Sequence, residues 1–205
     1  MNRPIIYAVA AVIGIFLAAC SQNPPTPTRE PGVRALAIDP RDGRLFKAAS
    51  DGLFLSRDDG KIWQPITLPR EIAANAISIV ALRLDQPDML FIAGEQIGVW
   101  RSSDAAKTWQ KKTRGLASDR VSAIALHSNG YQRDSSNSLF AWVDGIGIFE
   151  SDDAGDTWKR SVDQAVGLEG LSVTALTHSP LEGSMNRGWL YASTPTGAYI
   201  SMDCY

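Results

Sequence analysis

The residues best equipped for chemistry in this chain stand in the octet SDDAGDTW, Ser151 to Trp158, where Asp152, Asp153 and Asp156 sit beside a serine and a threonine. Carboxylates clustered in this way can hold a hard cation or act as general acid and base. A second pair, Asp58-Asp59, lies in SRDDGKIW. An EF-hand calcium loop, however, needs alternating ligands and a distal bidentate glutamate, which an eight-residue segment does not supply. Other acidic candidates are scattered. Asp39, Asp85 and Asp144 follow apolar runs, and glycoside hydrolysis asks for two carboxylates about 5–10 Å apart. Yet Asp39-Pro40 and Asp85-Gln86-Pro87 read as turns. The two histidines, His127 and His178, each close an apolar run, and without cysteine partners a zinc site is not expected. Arg34, Arg83 and Arg101 read as ordinary surface arginines, and nothing in their spacing favours convergence. There is no Ser-His-Asp order, phosphate-cradling glycine loop or nucleotide fingerprint, so no cofactor is expected.

The octet recurs. SRDDGKIW starts at Ser56, SSDAAKTW at Ser102, SDDAGDTW at Ser151 and SMDCY at Ser201, with successive starts 46, 49 and 50 residues apart. Four residues before each serine stands a glycine (Gly52, Gly98, Gly147, Gly197), and two residues after each glycine an aromatic (Phe54, Trp100, Phe149, Tyr199). A pattern repeated in phase is a structural unit before it is an active site. Ser and Asp side chains can bond the backbone of a tight turn, glycine accepts a left-handed conformation, and tryptophan buries a large surface.

The elements that must carry these turns are short apolar runs. The first of each repeat is VRALAI from Val33, ISIVALRL from Ile77, VSAIAL from Val121 and LSVTAL from Leu171. The second is RLFKAA from Arg44, MLFIAG from Met89, SLFAWV from Ser138 and GWLYAS from Gly188. β-Branched and aromatic runs separated by Gly, Pro, Asp and Asn predict strands. The glycine opens a third strand, with a positive φ or a close backbone approach, and a segment such as WQPITL after the turn supplies a fourth. Four strands every 45–50 residues match a β-propeller blade. The expected fold is all-β, a propeller of four-stranded blades, with repeats over about 33–76, 77–120, 121–170 and 171–205.

On these residues the chain resembles the Asp-box, or BNR, repeat SxDxGxTW. Ser151, Asp153, Gly155, Thr157 and Trp158 match every fixed position. The first copy keeps Ser56, Asp58, Gly60 and Trp63 but has Ile62 for Thr. The second keeps Ser102, Asp104 and Trp109 but has Ala106 for Gly. The last holds Ser201 and Asp203, with Tyr205 where Gly would stand. Proteins with such repeats include secreted sialidases and other glycoside hydrolases, sortilin-type receptors and a photosystem II assembly factor. Their boxes lie at the blade periphery, so the resemblance implies architecture. Sialidases also carry an Arg-Ile-Pro motif, which is absent here. The reading is a binding or assembly module that takes a protein or glycan ligand on the propeller face. The alternatives are a sialidase-like hydrolase with catalytic residues partly in blades missing from this sequence, and a protein like the photosystem II assembly factor.

The N-terminus reads as an address. Arg3 precedes an uncharged stretch from Pro4 to Ala19, too short for a spanning helix of about 20 residues, so residues 1–19 are expected to be a secretory signal. Leu17-Ala18-Ala19-Cys20 resembles the lipobox of bacterial lipoproteins, which implies that Cys20 is lipidated and anchors the chain to a membrane on the extracytoplasmic side of the cell envelope. Ser21 leaves the choice between inner and outer membrane open. Residues 20–32 hold four of the eleven prolines and no large apolar side chain, as a tether would. Cys204 then has no partner within the chain, and no disulfide framework is expected. A net charge of −2 gives no basic footprint for nucleic acid. The fourth repeat stops inside its turn, from which the sequence is expected to be the N-terminal part of a larger propeller. Taken as 205 residues it would leave exposed edges prone to self-association.

Overall fold

A computed structural model describes residues 32–86, 88–127, 137–161, 168, 170–179 and 189–200. The chain divides into two compact units, Met1–Glu30 and Pro31–Tyr205, and the described residues belong to the second. Cys20, residues 128–136, Ser201, Asp203 and Cys204 lie outside them.

Each repeat folds into one antiparallel meander. The first sheet is β1 (Val33–Ile38), β2 (Leu45–Ala49), β3 (Gly52–Ser56) and β4 (Gln64–Pro65). The second is β5 (Ile77–Leu82), β6 (Leu90–Gly94), β7 (Gly98–Ser102) and β8 (Gln110–Lys111). The third is β9 (Val121–Leu126), β10 (Leu139–Val143), β11 (Gly147–Ser151) and β12 (Lys159–Arg160). The fourth is β13 (Ala175–Ser179), β14 (Trp189–Thr194) and β15 (Gly197–Ile200). The expected strands and hairpins are present, with three departures. The fourth strands pair over only two residues, both of them exposed. The strand expected from Leu171 begins at Ala175. Its pairing sets Leu176 opposite Ala192 and His178 opposite Leu190, so Val173 rather than Leu171 takes the place held by Val33, Ile77 and Val121. Of the four third-strand glycines, Gly98, Gly147 and Gly197 have positive φ, whereas Gly52 does not and lies against the Phe54 ring.

Packing explains the sequence of the second strands. In β6 and β10 every residue is buried, and the period-2 alternation that elsewhere divides core from solvent here divides two cores. Leu90 and Ile92 join Phe46 and Leu53 of the first sheet. Phe91 and Ala93 instead meet Leu139 and Phe149 of the third, while Phe140 and Trp142 meet Leu176 and Leu190 of the fourth. Phe46, Phe91 and Phe140 are each at most 1% exposed, and burying such a ring contributes about 2–3 kcal/mol. Neighbouring sheets also touch through their inner strands, β1 with β5, β5 with β9 and β9 with β13. The first strands therefore run side by side, with their starts at one end of the stack and their ends at the other.

Candidate functional site

The repeated turns are wired identically. In the third sheet the Ser151 hydroxyl donates to Asp153 Oδ1 at 2.8 Å and accepts the Gly155 N–H at 2.8 Å. Asp153 also accepts the Thr157 N–H at 2.8 Å and the Thr157 hydroxyl at 2.6 Å. Ser102, Asp104, Ala106 and Thr108 repeat the arrangement. Ser56, Asp58, Gly60 and Ile62 repeat it without the last bond, since isoleucine has no hydroxyl to donate. Ser56, Ser102 and Ser151 are each 1% exposed.

The residue before the fifth position is also left-handed: Asp59, Ala105 and Ala154 have φ of 60°, 57° and 58°. Two consecutive left-handed residues cost about 1–2 kcal/mol for each that is not glycine, and the carboxylate and hydroxyl bonds offset that cost. Ala106 takes the fifth position at φ 69°, which identifies the glycine expected there as preferred but not obligatory.

These carboxylates are acceptors, not acids. The Thr108 hydroxyl, with the Thr108 and Lys107 N–H groups and Ser102, lowers the Asp104 carboxyl to about 2. For Asp153 partial burial pushes upward, but the Thr157 and Ser151 donors outweigh it and the carboxyl is lowered. Asp58 is lowered chiefly by the Ile62 N–H. A general acid at neutral pH needs the opposite shift.

Trp158 and Trp109 fasten each turn to the preceding sheet, with exposures of 5% and 9%. Trp158 Nε1 donates to the Lys112 carbonyl and its backbone N–H to the Arg114 carbonyl, both at 2.9 Å. Gly115 makes this approach possible: at φ 92°, a Cβ there would lie 2.1 Å from the Trp158 carbonyl oxygen. Trp63 is only half-buried and lies beneath the Lys47 amine, 4.2 Å from the ring centre.

The three arginines do not converge. Arg101 Nη1 donates to the Ala154 carbonyl at 2.9 Å and Nη2 lies 3.3 Å from Asp156, which also binds Lys112. The second sheet thereby grips the turn of the third. Arg83 pairs with Asp85 at 2.7 Å and reaches Asn137 at 3.1 Å. Arg34 donates to the Asn75 carbonyl. Asp39, 1% exposed, is held between Arg41 and Arg44, and the Arg41 bonds chiefly lower its carboxyl to about 2.

Two clefts lie at the two ends of the inner strands. At their ends, a cleft of about 600 Å³ has apolar walls from Leu82, Ile124, Leu126 and Leu176, with Arg83 and Asp85 at its side. Here the two histidines meet: the rings of His127 and His178 lie 4.1 Å apart, and His178 stacks on Phe140 at 6.0 Å. They stand at the ends of the first strands of adjacent sheets, where their proximity was not visible in the sequence. Among the described residues no three His, Cys, Asp or Glu side chains are grouped to hold a metal.

At the starts of the inner strands, a polar cleft of about 810 Å³ is lined by Arg34, Ser78, Ser122 and Thr174 and by the carboxylates Glu71, Glu95 and Asp144. Arg34, Ser78, Ser122 and Thr174 each follow the apolar residue (Val33, Ile77, Val121, Val173) that fills the same place in its sheet. Ser122 donates to the Val173 carbonyl at 2.8 Å, linking the third sheet to the fourth. The wall formed by Ala73–Ala76 is pressed close: a Cβ on Gly94 would lie 1.8 Å from the Ala76 carbonyl oxygen. Of these residues, Arg34 and Asp144 were singled out in the sequence. Glu71, Glu95 and the small hydroxyl residues were not. The signal for the hydroxyl residues was a polar second position shared by all four inner strands, visible only once Val173 is in register.

Meandering antiparallel sheets stacked through their inner strands define this as a β-propeller fold, with four sheets of three or four strands as incomplete blades. No protein-family model matches the sequence, and no curated protein matches it either. Solved β-propellers do resemble it in structure. A GH74 enzyme from Niastella koreensis is 17% identical, with a TM-score of 0.61 over 81% of this chain and 26% of its own. The extracellular domain of a proposed one-component system from B. thetaiotaomicron is 13% identical, with a TM-score of 0.58 over 82% of this chain and 20% of its own. A chain of the COPII outer coat vertex is 11% identical, with a TM-score of 0.57 over 80% of this chain and 44% of its own. The chain therefore spans less than half the length of each. An enzyme, a sensor domain and a coat component share the fold, so the fold does not assign a function.

Proposed function

We propose that the chain is an extracytoplasmic, lipid-anchored propeller module that binds a protein or glycan partner in the polar cleft at the starts of its inner strands. The observation that carries the binding role is the cleft itself. Four sheets each contribute a polar side chain at the same inner-strand position, and connecting segments add three carboxylates and amide groups. Hydroxyl, carboxylate and amide groups around a concave site suit a ligand rich in hydroxyls, amides or cationic groups. The serine-aspartate turns are read as Asp boxes because the serine, aspartate and threonine side chains of the motif bond within the turn, which gives them a structural role. The anchor rests on Arg3, the apolar run and Leu17-Ala18-Ala19-Cys20. Incorporation of labelled palmitate by the wild type but not by Cys20→Ala would support it, and equal labelling of the two would sink it.

The cleft is tested by amide chemical-shift mapping with oligosaccharides and peptides. Shifts confined to residues 71–78, 95–97, 122, 144 and 172–174 are expected, and shifts elsewhere would refute the assignment. A second reading, glycoside hydrolysis, has one observation in its favour: Glu71, Glu95 and Asp144 line the same cleft, and two carboxylates are what that reaction requires. Release of reducing sugar from any glycoside, lost in Asp144→Asn, would replace binding with catalysis.

A further inference from the structure

The polar cleft at the starts of the inner strands displays the same charge twice. The hairpin of the second sheet runs Gly94-Glu95-Gln96-Ile97-Gly98 and that of the third Val143-Asp144-Gly145-Ile146-Gly147, with Gly94 paired to Gly98 and Val143 to Gly147. Glu95 and Asp144 therefore take the first position of the same turn. The next residue is left-handed in both, Gln96 at φ 66° and Gly145 at φ 72°. Both carboxylates line the cleft, and Glu71, in the segment joining the first sheet to the second, adds a third. The second and third sheets each have a neighbouring sheet on both sides, so the repeated charge belongs to the interior of the stack.

Little within the cleft balances these groups. One guanidinium lines it, and Arg34 already donates to the Asn75 carbonyl. Arg120 approaches Glu95 at 3.7 Å, but both side chains are more than half exposed. An exposed ion pair of this kind is weak, so an incoming cation displaces Arg120 at little cost. None of the residues lining the cleft is aromatic. A sugar ring would find no flat apolar face to stack on, and its hydroxyls would compete with water for every bond. A lysine or arginine side chain finds carboxylates for its charged head. Asn75, Ser78 and Gln96 offer amide and hydroxyl groups to the backbone that carries it.

We propose that the partner taken by this cleft is a basic peptide segment of another protein, its lysine or arginine side chains received by Glu95, Asp144 and Glu71. The inference rests on the reading of the cleft as the binding site and selects a protein partner over a glycan.

The test is an amide chemical-shift titration of the full chain with end-capped trilysine, end-capped triglutamate and chitotetraose. Trilysine should move the amides of Glu71, Glu95, Gln96 and Asp144, and the other two probes should not. Its dissociation constant should rise about tenfold between about 0.05 and 0.5 M salt, as screening shortens the reach of exposed charges. Glu95→Gln and Asp144→Asn should each weaken binding about two- to fivefold, the range of an exposed ion pair, and together about tenfold. Asp59→Asn, which removes an exposed carboxylate outside the cleft, should change nothing. Shifts of the same amides with chitotetraose and none with trilysine overturn the basic partner while leaving the cleft as a glycan site. Silence of these amides with every probe overturns the proposal and the cleft together. Trilysine binding that Asp59→Asn weakens as much as Asp144→Asn is adsorption to a negatively charged chain and overturns the proposal, as does triglutamate bound as tightly as trilysine.

Discussion

Replacing Asp153 with alanine should damage the fold far more than the same change at Asp58, and the structure says why. Asp153 accepts three hydrogen bonds, from the Ser151 hydroxyl, the Thr157 N–H and the Thr157 hydroxyl, at 2.6–2.8 Å. Hydrogen bonds to a charged group contribute about 1.5–3 kcal/mol each. Half-exposure and the ability of both hydroxyls to find water reduce this to roughly 2–3 kcal/mol for the whole set. The bonds also hold Ala154 and Gly155 in left-handed conformations and seat Trp158, 5% exposed, against the second sheet. Asp58 lacks the threonine hydroxyl bond, and its tryptophan, Trp63, is half-buried with no preceding sheet among the described residues to enter. Urea unfolding followed by tryptophan fluorescence measures both. At a slope of about 2 kcal/mol/M, Asp153→Ala should lower the midpoint by roughly 1–1.5 M, and Asp58→Ala by less than half of that. A loss at Asp153 within about 0.5 kcal/mol, the scatter of ordinary surface changes, would refute the idea that the turn carboxylate secures the blade. Equal losses at the two sites would refute the link to the tryptophan.

Gly115→Ala forces a Cβ to 2.1 Å from the Trp158 carbonyl at φ 92°, whereas Gly145, at φ 72°, has nothing within 4 Å. Melting should show a loss of more than about 2 kcal/mol for the first and about 1 kcal/mol for Gly145→Ala, where only the left-handed strain acts. Ile62 is 65% exposed, so Ile62→Thr gives up little burial while adding the hydroxyl bond to Asp58 that the other two turns possess; a rise in Tm of roughly 1–3 °C is expected. Asp39 and Asp104 have folded values of about 2, below the ordinary carboxylate. Because the folded value is the lower one, their contribution is complete above about pH 4 and is lost as pH falls through about 2. The urea midpoint should decline across that window, and Asp104→Asn should flatten the decline; an unchanged slope would contradict the turn's reliance on an ionised Asp104.

What could be read from the amino-acid order was whatever closes within a few residues. The turn from Ser151 to Trp158 satisfies itself over two to four positions, so its recurrence at Ser56 and Ser102 announced the repeat and the hairpins around it. The strands followed from equally local signals, β-branched and aromatic runs bounded by turn residues, except where no local rule fixed a boundary. Nothing between Leu171 and Ala175 distinguishes LSVT from a strand start; only pairing with Ser193 and Ala192 places Val173 in register. The division of Leu90 and Ile92 from Phe91 and Ala93 between two cores was equally hidden, since an all-apolar strand looks the same whichever neighbour each residue meets. The stacked rings of His127 and His178, the grip of Arg101 on Ala154 and the polar cleft join residues that are far apart in the sequence, up to Arg34 and Thr174 in the cleft. Those contacts depend on how one sheet rotates and stacks upon the next, a property of side-chain volumes across the interface, and there the tertiary structure alone decided.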